Sequence, residues 1–245
     1  MSMLPSVQIV LDTLARHGVK SLLMGGQACI SHGASEFTRD LDLAVLADVP
    51  NLDALANAMR ELQADVIAVP PFQKAMLDAG HAVHFRCRAP GVAGLRVDVM
   101  SRMRGVDPFP ALWERRTVLA NGVAVLSLPD LVAAKKTQRD KDWPMLRRLL
   151  EADYFARRSS CNSTDVAFWL RECRTASLLE EMVARFPADA AEVTRPAVRL
   201  ARDRKPVDQI TGALRDEEDS ERRLDTAYWA PLKKQLESMR ARPRE

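Results

Sequence analysis

No run of eighteen apolar residues occurs in this 245-residue chain, so a membrane-spanning helix is not expected. The first residues, "MSMLPSVQIVLDTLARHG", carry Asp12 and Arg16 inside their apolar pattern, which does not fit a signal peptide. Cysteine is scarce. Cys29, Cys87, Cys161 and Cys173 are widely spaced, form no C-x-x-C pair and have no histidine cluster at zinc spacing. Neither a disulfide framework nor a structural zinc site is expected. Reduced, mostly buried thiols in a cytoplasmic protein are. The chain also lacks internal repeats and low-complexity linkers. Its formal net charge of +3 is too small to indicate a nucleic-acid partner. Within that small total the charge is uneven, since residues 131–160 hold eight Lys/Arg against four acids.

The length suits two lobes, each with its own core. Val7, Val10, Leu11 and Leu14 share one helical face, with Gly18 as the stop. "VKSLLMGG" reads as a buried strand entering a tight glycine turn, and a short helix follows from Gln27 to about His32. "TRDLDLAVLA" alternates as a strand, "NLDALANAMRELQA" as an amphipathic helix, and "DVIAVP" as a strand stopped by Pro70. "HAVHFRCR" and "GLRVDVMS", joined by "APGVA", form a predicted hairpin. This is a mixed α/β domain over 1–110. From 111 to 245 an all-helical lobe is expected, including "SLPDLVAAKK", where Ser127 and Asp130 come close to a capping box. It continues through tracts 143–158, 163–174, 177–185, 190–203 and 206–240. Trp113, Trp143, Trp169 and Trp229 serve as core or interlobe anchors, and the charged 206–240 helix offers a solvated or partner-binding surface.

Asp40 and Asp42 are spaced i, i+2, so on a strand both carboxylates face the same way. Two like charges on an apolar strand need a positive partner. Magnesium suits that need, being a hard cation that takes carboxylate oxygens together with substrate phosphates, and manganese is its natural substitute. Asp98 alternates against Leu95, Val97 and Val99, and placing its strand beside the Asp40 strand gathers three carboxylates. Such a set suits a two-metal site for phosphoryl or nucleotidyl displacement. The Gly25-Gly26 turn would let backbone N–H groups approach a triphosphate. His81 and His84 lie near the hairpin and could line the same cleft.

The Gly25-Gly26 pair, thirteen intervening residues, Asp40-Leu41-Asp42-Leu43 and then Asp98 resemble the DNA polymerase β-like nucleotidyltransferase superfamily over about residues 20–101. "SLPDLVAAKKTQRDKDWPMLRRLLEADY" is similar to the helical region of its minimal and abortive-infection toxin-like (AbiEii-like) members. That resemblance implies a nucleotidyltransferase-like sheet with flanking helices, followed by a helical lobe. It implies that Asp40 and Asp42 bind both metals, and that Asp98 binds one and helps deprotonate an acceptor hydroxyl. Gly25 and Gly26, flanked by Gln27, would hold the incoming NTP together with Arg39. Lys135, with Lys136 or Arg139, would neutralise phosphate charge. Glu36 stands near the place where toxin-like members often carry an arginine.

The activity so implied is magnesium-dependent transfer of an NMP from an NTP, ATP among them, to a hydroxyl on a tRNA end, a protein side chain or a small molecule. A non-catalytic nucleotide-binding or interaction module of the same fold, one half of a toxin–antitoxin-like pair with a partner protein, remains open. So does a phosphohydrolase using the same aspartates, although the sequence has no H-D pair or His-rich metal set.

Overall fold

The computed structural model describes residues 4–34 and 38–241. Glu36 lies outside the described residues. Two compact units divide the chain: residues 4–31, 38–134 and 228–241 form the first, and 32–34 with 135–227 form the second. The expected boundary near residue 110 thus compares with a division after Ala134.

The first unit is built on a mixed seven-stranded sheet ordered β3-β4-β5-β2-β1-β7-β6. Its strands are β1 (Ser21–Met24), β2 (Leu41–Val45), β3 (Asp65–Val66), β4 (Val83–Arg86), β5 (Arg96–Met100), β6 (Thr117–Val118) and β7 (Ala124–Val125). The central strand β2 runs antiparallel to β1 and parallel to β5. β4 pairs antiparallel with β5, as the hairpin pattern predicted.

Helices α1 (Pro5–Arg16), α2 (Gly25–Ser31) and α3 (Val49–Glu61) flank this sheet, with α1 packed on α3 and α2 on β1 and β2. Pro5 opens α1, where a missing N–H costs nothing, and Val7, Val10, Leu11 and Leu14 are its buried face. α3 is capped by the Asp48 carboxylate, which accepts from the Asn51 N–H at 2.8 Å. Two short helices follow, α4 (Lys74–Ala79) and α5 (Phe109–Glu114). α6 (Leu128–Ala134) follows, with the Ser127 hydroxyl accepting from the Asp130 backbone N–H at 3.3 Å as the capping pattern requires, and donating to the Asp130 carboxylate at 2.6 Å.

Several expectations need correction. The helical lobe does not begin at 111, because β6 and β7 lie beyond that point and β7 joins the sheet through Leu23 opposite Val125. Two-residue strands are too short to leave a period-2 signature. The "DVIAVP" strand shrinks to Asp65–Val66, and α4 occupies a stretch with no expected helix. The glycine pair is not a turn before a helix, since α2 begins at Gly25 itself. Asp40 sits in a bend just before β2 rather than within it. β1 ends at Met24, opposite Asp42, so the ladder on that side offers Asp40 no partner.

The second unit is helical among its described residues: α7 (Asp142–Arg157), α8 (Ser163–Glu172), α9 (Ala176–Arg185), α10 (Pro187–Glu192), α11 (Pro196–Arg202) and the first part of α12 (Val207–Ala241). The expected 190–203 helix is two helices, because Pro196 cannot continue the first. Trp169 packs edge-on against Tyr154 at 5.1 Å and donates its indole N–H to Asp153 at 2.7 Å, so its buried polar atom is satisfied. Arg195 donates to the Leu170 and Cys173 carbonyls and to Glu217, tying the end of α8 to α12.

All four cysteines are free, and three of them are buried. Burial pushes the Cys87 thiol up to about 11, so it carries almost no reactive thiolate at neutral pH. No described helix is long and apolar enough to cross a membrane.

Asn51 is a structural residue that the sequence did not flag. Its amide accepts from the Lys20 N–H at 2.7 Å and donates to the Lys20 and Leu46 carbonyls at 3.1 and 2.8 Å, joining α3 to the ends of β1 and β2. Truncation removes three part-buried hydrogen bonds, so Asn51→Ala is expected to lower unfolding free energy by about 1–3 kcal/mol in a urea titration. Exposed Asn57→Ala should change it by less than about 0.5 kcal/mol. Equal effects from the two variants would contradict this role.

Candidate active site

The register of the sheet makes one row of side chains. Met24 on β1 pairs with Asp42 on β2, Asp42 with Asp98 on β5, and Asp98 with His84 on β4. Paired residues on adjacent strands point to the same face, so this row shares one side of the sheet. The neighbouring rows, Leu41, Leu43, Val83, Phe85, Val97 and Val99, point to the other side and are all buried. One face therefore makes core and the other presents two aspartates side by side. The sequence anticipated this neighbourhood for Asp42 and Asp98.

Gly25 stands directly against Asp42. It has a φ of +66°, and a Cβ added there would come within 1.9 Å of Asp42 Oδ2. Both the backbone angle and the contact require glycine. A Cβ on Gly26 would meet Thr38 Cβ at 2.8 Å, so the second glycine admits the segment that leads into Asp40. The pair thus has a packing reason: it lets α2 start flush against the carboxylate strand. Gln27 is buried in the same helix, and Arg39 is exposed beside Asp40.

Asp98 is only 18% exposed and is held by two basic side chains. Arg96 Nε donates to its Oδ1 at 2.7 Å, and His84 Nδ1 lies 2.8 Å from the same oxygen. Burial pushes the Asp98 carboxyl up, but the hydrogen bonds from His84 and Arg96 outweigh it and hold the group below its ordinary value. The hydrogen bond to Asp98 in turn raises the Arg96 guanidinium, against burial, and the charges of Asp98, Asp40 and Asp42 add to that effect. Arg96 is thus a positive group on which all three carboxylates act. Sequence alternation had put Arg96 on the Asp98 face, and His84 near the cleft, without showing that both would bind Asp98.

Asp40, Asp42 and Asp98 supply the hard oxygen donors that a divalent cation takes. Among the described residues, however, no group of three or more His, Cys, Asp or Glu side chains is arranged to hold a metal ion.

The expected phosphate-neutralising residues belong to the second unit. Lys135 is buried and pairs with Asp142 at 3.3 Å, and Arg139 Nε donates to the other Asp142 oxygen at 2.8 Å. Thr137 donates its hydroxyl to that oxygen at 2.5 Å, so Asp142 gathers the whole 135–142 segment. Lys136 pairs with Glu172 at 2.7 Å, at the edge of a cavity of about 560 Å³ that Arg171, Arg174 and Arg195 also line.

No protein-family profile matches the chain, and no curated protein does. Among solved structures it is similar to a candidate nucleotidyltransferase from H. pylori, at 11% identity and a TM-score of 0.43 over 93% of this chain and 98% of that one. It is also similar to JHP933 from Helicobacter pylori, at 12% identity and a TM-score of 0.39 over 96% of this chain and 94% of that one. Likeness at these TM-scores carries no argument, and the reading of the site rests on its residues.

The Asp142 cluster yields a pH dependence. Burial raises the Asp142 carboxyl, yet Lys135, Thr137 and Arg139 together hold it below its ordinary 3.8. A carboxyl depressed in the folded state binds fewer protons there than in the unfolded chain. Its stabilisation is therefore complete above about 3.8 and is lost as pH falls through the folded value. Asp142→Asn should cost about 3–5 kcal/mol at pH 7, because it leaves Lys135 buried and unpaired. By urea unfolding the gap to the parent protein should narrow at pH 3, and a gap that stays constant would contradict the assignment.

Proposed function

We propose that the protein is a divalent-cation-dependent nucleotidyltransferase that moves a nucleoside monophosphate from an NTP to a hydroxyl acceptor. The observation that carries this reading is the register of Asp42 opposite Asp98 on adjacent parallel strands, with Gly25 cleared of a side chain against the Asp42 carboxylate. The order of glycine pair, D-x-D and third aspartate supports it, and the finer reading is a likeness to the minimal, toxin-like members of the polymerase β-like superfamily.

Asp40, Asp42 and Asp98 are the groups that would hold magnesium, or manganese in its place, and their all-oxygen chemistry fits either ion. When bound, the metal supplies charge neutralisation at the reacting phosphate and at the attacking and leaving oxygens. Gly25 and Gly26 keep the wall beside Asp42 free of side chains, so that a triphosphate can approach backbone there. Gln27 follows that wall in the chain, and Arg39 adds positive charge next to Asp40. ATP is the first donor to test, and the acceptor classes are an RNA end, a protein side chain and a small molecule.

A second reading is a nucleotide-binding or interaction module, one half of a toxin–antitoxin-like pair with a partner protein. The observation favouring it is that both basic neighbours of Asp98 already satisfy its carboxylate.

Incubation with each alpha-labelled NTP, magnesium and total host RNA or protein separates the readings. Transfer of label into one fraction, reduced at least about a hundredfold in Asp42→Asn, is the outcome expected of the enzyme. Tight NTP binding with no label in RNA, protein or small-molecule products would replace it with the second reading.

A further inference from the structure

Arg96, His84 and Asp98 form a triad that cannot be satisfied at all of its contacts. His84 Nδ1 lies 2.8 Å from Asp98 Oδ1 and 3.0 Å from Arg96 Nη2. A ring nitrogen either carries a proton and donates, or lacks one and accepts. Donating to the carboxylate leaves Arg96 Nη2 facing another N–H, while accepting from Arg96 sets a lone pair against an ionised oxygen. The first arrangement is stronger, because its hydrogen bond is to a charge. Arg96 then keeps one good bond, from Nε to Asp98 at 2.7 Å, and one unfavourable contact.

This guanidinium also answers a need of the row. Asp42 and Asp98 stand opposite each other, Asp40 is two residues from Asp42, and the charges of all three act on Arg96. Arg96 lies two residues from Asp98 on the same strand face, and its side chain is 37% exposed, so it has a path outward into solvent.

We propose that Arg96 is the resident counterion of the carboxylate row and that a divalent cation competes with it: cation entry releases Arg96 from Asp98, and Arg96 returns when the cation leaves. This inference rests on the metal-dependent reading above. It makes Arg96 a positioning residue, which offsets part of the row's negative charge and holds Asp98 in place between turnovers. A released guanidinium, planar and rich in donors, is then free to meet the phosphates of the arriving nucleotide.

Calorimetric titration of Mg²⁺ into the nucleotide-free protein tests the competition. Arg96→Met should bind Mg²⁺ about tenfold or more tightly than the parent, because the ion no longer displaces a charge-assisted hydrogen bond. Arg96→Lys, which keeps the charge, should lie near the parent, and Asp42→Asn should abolish binding in each background. A simple loss of nearby positive charge would not move the second readout, the NMR signal of the Arg96 Nε–H, identified by its absence in Arg96→Lys. That signal should shift as Mg²⁺ saturates the parent protein and stay fixed in Asp42→Asn. Mg²⁺ binding with an unmoved Nε–H signal and equal affinity in Arg96→Met would overturn the inference and leave the metal-dependent reading intact. No Mg²⁺ binding in either the parent or Arg96→Met would overturn both.

Discussion

Like charges placed side by side on neighbouring strands repel, and the first unit is organised around a pair of them. Asp42 and Asp98 stand in register on β2 and β5, the two parallel strands at the centre of the sheet. Their positions follow from the other face of the same strands, where Leu41, Leu43, Val97 and Val99 are buried. A one-residue slip of either strand would send those apolar side chains to the wrong face. Core packing thus fixes the carboxylates, and the cost of their proximity must be met by cations nearby.

Three features of the unit surround that row. Arg96 and His84 both bond to Asp98, although this sets Arg96 Nη2 against the His84 ring nitrogen. Gly25 takes a left-handed backbone angle so that α2 can begin against Asp42 without displacing its carboxylate. Asn51 holds the ends of β1 and β2 to α3, which keeps β2 in place relative to β1. The second unit meets a similar demand differently: buried Asp142 collects Lys135, Thr137 and Arg139 around a single oxygen pair, and that arrangement needs no outside cation.

The central strands were legible because alternation over five residues marks a half-buried strand, and β2 and β5 each have it. The third aspartate was placed beside the first pair for the same reason. β6 and β7, with two residues each, carry no such period, and their membership of the sheet depends on tertiary pairing to β1. The split of the 190–203 tract was written in Pro196 but masked by apolar residues on both sides. What the sequence could not display was commitment of charge. Lys135, Lys136 and Arg139 read as a basic face, and the fold ties them to Asp142 and Glu172, residues seven, thirty-six and three positions away. Arg96 was visible as a neighbour of Asp98, but the shared contact with His84 required β4 to be in register.

The central claim is that the Asp42–Asp98 row is a cation site held in reserve by Arg96. Its most direct test is an anomalous difference map from crystals grown with Mn²⁺ and a non-hydrolysable nucleoside triphosphate. The account predicts a manganese peak bound by both the Asp42 and Asp98 carboxylates, with Arg96 turned away from Asp98 toward the phosphates. Nucleotide bound with no peak at that row, and Arg96 still on Asp98, would contradict it.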